Sequence, residues 1–156
     1  MPPIRLQPMT EAEFSAYCET AIPGYALEVG RSDGVPPEKA LEQARAAWAR
    51  ILPKGLTTPG HQLNWILDAA TGARVGHLWL FLDPESPRSY VYDIEIYPEH
   101  RRRGYAEAAL AAAEEFGRAG RAARLELHVF GHNTGAIALY DKLGFTTTHR
   151  MMSKPL

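Results

Sequence analysis

The chain has 156 residues, of which 46% are hydrophobic and 22% charged, with 17 Lys and Arg set against 18 Asp and Glu. That is enough chain for one ordinary core, it excludes the disordered class, and a formal charge of −1 argues against a chain-wide electrostatic footprint for nucleic acid. No apolar run reaches the length of a membrane span, Met1 to Arg5 lacks the basic-then-apolar pattern of a secretory signal, and the single Cys18 has no partner within the chain. A single cytoplasmic domain over residues 1–156 is therefore expected.

Ile4 and Leu6 alternate with Arg5 and Gln7, which predicts a strand ending near Met9. Thr10 followed three residues later by Glu13 is a capping-box signature, and the helix it starts is expected to break at Pro23-Gly24. A turn at Ser32-Asp33-Gly34 and the Pro36-Pro37 pair lead into a second helix, with Leu41, Ala44, Trp48 and Ile51 at helical spacing. The period then falls to two. Leu63, Trp65 and Leu67 share a face, Thr71-Gly72 supplies a turn, and Val75 to Leu82 returns as the partner strand. Another strand runs from Tyr90 to Tyr97, with Val91, Asp93, Glu95 and Tyr97 expected on one face, and Pro98 ends it. A helix from Gly104 to Arg118 follows, then a strand through Leu125, Leu127 and Val129. A helix from Asn133 to Leu143 comes next, and last a strand from Phe145 towards Lys154. Hairpins combined with a strand-helix-strand unit predict an α/β fold, with a mixed, mainly antiparallel sheet and helices on both faces.

Arg101-Arg102-Arg103-Gly104-Tyr105-Ala106 sits between a strand and a helix. The first turn of a helix has unpaired N–H groups and partial positive charge, and Gly104 has no Cβ to hold off a phosphate, so the segment reads as an anion cradle. It lacks both the Gly-Lys-Ser/Thr of a nucleotide-hydrolysing loop and the three-glycine dinucleotide fingerprint. Glu95 and His128 are the ranked candidates for a general base, with Asp93 third. The six histidines show no metal-ligand spacing, so no metal is expected; His61 is a candidate for lining an acceptor pocket. Trp48, Trp65 and Trp79 fall at core positions, and Cys18 reads as a small buried hydrophobe.

The Arg-x-x-Gly-x-Ala segment, together with Asn133 to Phe145 after the Leu125 to Val129 strand, resembles the two motifs of the GNAT superfamily of N-acetyltransferases, in that family's order and spacing. The resemblance covers residues 90 to 145. Tyr92-Asp93-Ile94-Glu95, Leu127 to Asn133 and Met152-Ser153-Lys154 are similar to a group of small bacterial members of undefined substrate. It implies acetyl-CoA as co-substrate, its pyrophosphate held by the amides of Arg101, Arg102, Arg103, Gly104, Tyr105 and Ala106, with Arg101 and Arg103 as side-chain helpers. It implies that the strand edge at Ile94 and Ile96 pairs with the pantetheine arm and polarises the thioester carbonyl. Asn133 would bond the pantetheine amides, and Tyr140 would protonate the departing thiolate.

The family sheet has six or seven strands with splayed central strands. Only eleven residues follow Phe145, so either six strands form or a second copy completes the sheet as a homodimer. The expected activity is transfer of an acetyl group from acetyl-CoA to a primary amine by direct attack in a ternary complex, with neither nucleic acid nor membrane as partner. The alternative is a non-catalytic acyl-CoA-binding sensor or interaction module. Acceptor choice is expected to rest on residues before His61 and in the Asp83 to Ser89 loop.

Overall fold

The computed structural model describes residues 1–156. In chain order the elements are β1 (Ile4–Pro8), α1 (Glu11–Asp33), α2 (Pro37–Ile51), β2 (His61–Asp68), β3 (Arg74–Leu82), β4 (Arg88–Ile96), α3 (Tyr105–Ala119), β5 (Arg124–Leu127) and α4 (Thr134–Lys142), with short 3-10 turns at Gly55–Thr57 and Pro98–His100. The five strands lie in the sheet in sequence order. β1 to β4 form an antiparallel meander, while β5 joins β4 in parallel after the α3 crossover.

Strand alternation divides the side chains between two cores. On one face Ile66, Leu78, Leu80, Val91 and Ile96 pack under Ala109, Leu110 and Ala113 of α3, with Leu139, Tyr140 and Leu143 of α4 joining at the margin. On the other, Leu63, Trp65, Leu67 and Trp79 pack against Tyr17 of α1 and Leu52, so the three residues expected to share a face do share it. Leu78, Leu80 and Leu110 are fully buried, each side chain stabilising the fold by about 1.5–3 kcal/mol relative to exposure.

The capping box forms as read. The Thr10 hydroxyl accepts from the Glu13 amide at 3.3 Å, and the Glu13 carboxylate accepts from the Thr10 amide at 2.9 Å. α1 does not break at Pro23-Gly24, however; it runs on for 23 residues to a left-handed Gly34 cap. Pro23 and Glu19 are both exposed, so the Glu19 carbonyl left without a helical donor faces solvent, and packing of α1 on both sides of the proline holds the helix.

The strand expected from Phe145 to Lys154 is absent, and the sheet has five strands rather than six or seven. β5 also stops at Leu127 instead of Val129. The physical reason is shared: β4 offers β5 no partner beyond Val91, so β5 leaves the sheet, and no long neighbouring edge remains for a sixth strand.

Gly76 shows how tightly β3 and β4 are pressed together, because a Cβ there would overlap the Glu95 carbonyl. Gly76→Ala should cost about 3 kcal/mol, read as a lower midpoint in urea unfolding.

Candidate functional site

The site begins with one extra residue. Trp79 pairs with Asp93 and Leu80 with Val91, which leaves Tyr92 as a bulge in β4. Val91 therefore faces α3, whereas Asp93 faces α1; the single shared face expected for Val91, Asp93, Glu95 and Tyr97 does not exist. The bulge also ends pairing with β5, whose last register is Val91 with Leu127. Beyond it the two parallel strands part. The Tyr97 amide donates to Val75 on β3, so by ladder alternation Ile94 and Ile96 direct their backbone groups away from β3. The Ile96 carbonyl accepts from Arg101 Nε at 2.8 Å.

At the end of β4 the chain turns through Arg102 (φ 62°) and Gly104 (φ 86°) into α3. No side chain caps this helix, so its first amides, from Tyr105 onwards, are open to an anion. Tyr105 contributes only its amide: its buried phenol donates to Asp68, tying the helix start to the end of β2. That bond and the Asp68 bonds to the Ala70 and Thr71 amides hold the Asp68 carboxyl below the usual range. Arg101 is committed to the Ile96 carbonyl and lies 3.6 Å from Glu95, while Arg102 and Arg103 form no ion pair with a protein carboxylate.

Asp93 lies at the centre of a polar network under α1. Its Oδ2 accepts from the Tyr17 hydroxyl at 2.7 Å and lies 2.9 Å from His77 Nε2. Burial pushes the Asp93 carboxyl up, but the His77 and Tyr17 contacts more than offset this and leave it below the usual range. Burial and the neighbouring Asp93 charge push the Tyr17 phenol well up, so it remains a donor. Glu95 is half exposed, 4.0 Å from His77. His128 is exposed beyond the end of β5, touching only the Phe130 ring edge-on, and does not join this network. An open cleft of about 190 Å³ adjoins this network, lined by Glu13, Tyr17, Arg74, His77, Glu95 and Tyr97 among others.

On α4, the Asn133 Oδ1 caps the helix by accepting from the Ala136 amide at 3.2 Å, which leaves its side-chain NH₂ for a ligand. Tyr140 is partly buried beside Phe145, and its hydroxyl bonds to no protein group. Burial first, and the Asp93 charge second, push its pKa up.

Sequence reasoning missed Tyr17 and His77. The signal for His77 was its place between Gly76 and Leu78 in an apolar strand, directly across from Glu95. His61 lies on the same sheet face, accepting from Trp79 Nε1 at 2.9 Å and stacked on Phe81. Partial burial holds it at a pKa of about 4, so it is a neutral ring at pH 7. No three His, Cys, Asp or Glu side chains converge as a metal would require. No helix is long and apolar enough to cross a membrane.

A parting pair of parallel strands at a β-bulge thus lies next to an uncapped helix start. The chain belongs to the acetyltransferase (GNAT) family, whose family model matches residues 31–145. It is 38% identical over 155 residues to YycN of Bacillus subtilis, a protein described as an uncharacterized N-acetyltransferase, covering 98% of this chain and 99% of that one. YdgE of the same organism, described likewise, is 34% identical over 97% of each chain. The crystal structure of YycN superimposes with a TM-score of 0.91 over 99% of both chains. The aminoglycoside N-acetyltransferase AAC(6')-Iy, solved with a CoA bisubstrate analogue, shares the fold at a TM-score of 0.60 and 17% identity, over 99% of this chain and 98% of that one.

Proposed function

We propose that this protein transfers an acetyl group from acetyl-CoA to a primary amine by direct attack in a ternary complex. The observation that carries the reading is the break in β4–β5 pairing after Val91, which leaves the edge of β4 from Ile94 to Ile96 without a strand partner at the mouth of an uncapped α3, with Arg101 alone bonding to the Ile96 carbonyl there. An extended amide-bearing arm fits that edge as an added strand, and a pyrophosphate fits the amides of Gly104, Tyr105 and Ala106. Arg102 and Arg103 are the side chains best placed to help, since Arg101 already closes on Ile96. The Asn133 NH₂ suits a pantetheine carbonyl. The absence of any long apolar helix and the near-neutral charge are compatible with a cytoplasmic location. The unpaired outer edge of β5 supports association with a second copy.

In the reaction the amine nitrogen bonds to the acetyl carbon, and a backbone N–H on the Ile94–Ile96 edge stabilises the oxyanion. The carbon–sulfur bond breaks, Tyr140 gives its proton to the thiolate, and the proton on nitrogen passes to Asp93, directly or through water. Asp93 takes precedence here over Glu95 and His128, because it sits partly buried beside the bulge where β4 and β5 part, held by Tyr17 and His77, whereas Glu95 is half exposed and His128 lies outside the network. Neither covalent intermediate nor metal is required.

Tyr140→Phe keeps the packing against Phe145 and removes the proton. Because a thiolate leaves readily, thiol release should fall by only about ten- to a hundredfold, measured with a chromogenic disulfide. Release at the full wild-type rate would remove Tyr140 from the mechanism.

A further inference from the structure

The face of the bulge that meets α1 is built from aromatic rings, and of the charges near Tyr92, Asp83 and Arg88 pair with each other while Arg50 stands alone. Tyr92 stacks on Trp79 at 4.7 Å between centroids and lies 4.7 Å from Tyr90. Trp79 in turn meets Trp48 at 5.5 Å, and on the other side of Trp48 Tyr25 of α1 packs at 5.4 Å and lies 6.1 Å from Phe130, which stacks on His132. Tyr25 and Tyr92 stay 39% and 37% exposed, although they sit at the margin of a packed core. The hydroxyls of Tyr25, Tyr90 and Tyr92 bond to no protein group, and the buried Trp48 Nε1 has no partner. One turn along α1 from Tyr25, Glu28 meets His132.

The charges around this mouth say what it can take. Glu126 lies 3.6 Å from both Arg88 and Arg124, and Asp93 is held by Tyr17 and His77. Glu28 remains, shared with one histidine. A polyamine or an aminoglycoside carries several cations and a polar body, and would need several uncommitted carboxylates in place of ring faces. A single ammonium on a flat apolar body needs the reverse: π faces for the body and the charge, and one carboxylate near the nitrogen.

We infer that the acceptor is a small monoamine carried on an aromatic body, of the arylalkylamine class, seated between Tyr25 and Tyr92 with its nitrogen towards Glu28 and the bulge. The inference rests on the N-acetyltransferase reading above and narrows it. 2-Phenylethylamine, n-hexylamine, spermidine and kanamycin are compared as acceptors with acetyl-CoA. The value of kcat/KM for 2-phenylethylamine should exceed that for n-hexylamine by about tenfold, and the two polycations should be poorer still. Tyr25→Ala and Tyr92→Ala should each remove that advantage through KM, while Tyr25→Phe retains it. Preference for spermidine or kanamycin would overturn the aromatic assignment and leave amine acetylation standing. Should no amine be acetylated while acetyl-CoA still raises the melting temperature, the catalytic reading fails, and binding decides the acceptor question. Saturable quenching of tryptophan fluorescence by 2-phenylethylamine, lost in Tyr92→Ala, would uphold the site, and its absence would overturn it.

Discussion

Asp93→Asn should lower kcat by about 10²–10⁴-fold while leaving the affinity for acetyl-CoA within about twofold of wild type. The amide keeps the size and planarity of the carboxylate, so Tyr17 and His77 retain a hydrogen-bonding neighbour and the bulge keeps its packing. What is lost is a negative charge facing a nitrogen that becomes positive as it attacks. Held below the usual carboxylate range, Asp93 is fully ionised at neutral pH. The rise of kcat/KM with pH should therefore follow the amine's own pKa in wild type and variant alike, with a near-constant factor between them. A carboxylate that gated the rate by its own titration would instead give the wild type an acidic limb missing from the variant.

The same residue predicts a stability signature. Because the folded-state pKa of Asp93 is lowered, its contribution is present above the unfolded carboxyl pKa of about 3.9 and is lost as pH falls through the folded value. Urea unfolding at pH 7 and at pH 3 should show the stability difference between wild type and Asp93→Asn shrinking on acidification. A difference that stays constant or grows would mean that Asp93 is not held ionised by its neighbours.

The parts of this site that could be read from the chain are the ones decided locally. Gly104 at a helix start and Asn133 three residues before the amide it caps are set within one turn, and the structure has both in place. Tyr140 likewise follows from the stripe of α4. The bulge could not be read in that way. Whether Tyr92 is an in-register strand residue or an extra one depends on how Trp79 and Leu80 on β3 pair with it, and the period-two pattern of β4 contains no mark of the slip. That one residue moves Asp93 to the opposite face from Val91 and parts β4 from β5. Tyr17 meets Asp93 across 76 residues of sequence, a contact that exists only once α1 has been laid over the sheet. Pro23 misled for a related reason: local rules stop a helix there, and packing on both sides carries it through. The tail after Phe145 carries the β-branched Thr146, Thr147 and Thr148 that suit a strand, but only the four-residue outer edge of β5 is open to it.

Gly104→Val should weaken acetyl-CoA binding by at least about 100-fold, as measured by titration calorimetry, with far-ultraviolet circular dichroism close to that of wild type. At φ 86° a β-branched residue is strained whatever space it has, and the first atom of its side chain would already lie 3.0 Å from Pro2 Cδ. The chain must then leave the left-handed region, which redirects the amides at the start of α3. Charge-assisted hydrogen bonds contribute about 1.5–3 kcal/mol each, so misdirecting two of them accounts for the loss. Gly104→Ala meets the same φ penalty without the branch, and should fall between the two. The fold should survive both changes, because Tyr105 still anchors the helix start to Asp68, and Ala109, Leu110 and Ala113 still hold α3 on the sheet. A Gly104→Val protein that binds acetyl-CoA as tightly as wild type would show that the donor does not bind at the start of α3. The proposed pairing of the pantetheine arm with Ile94 and Ile96 would then lose its anchor.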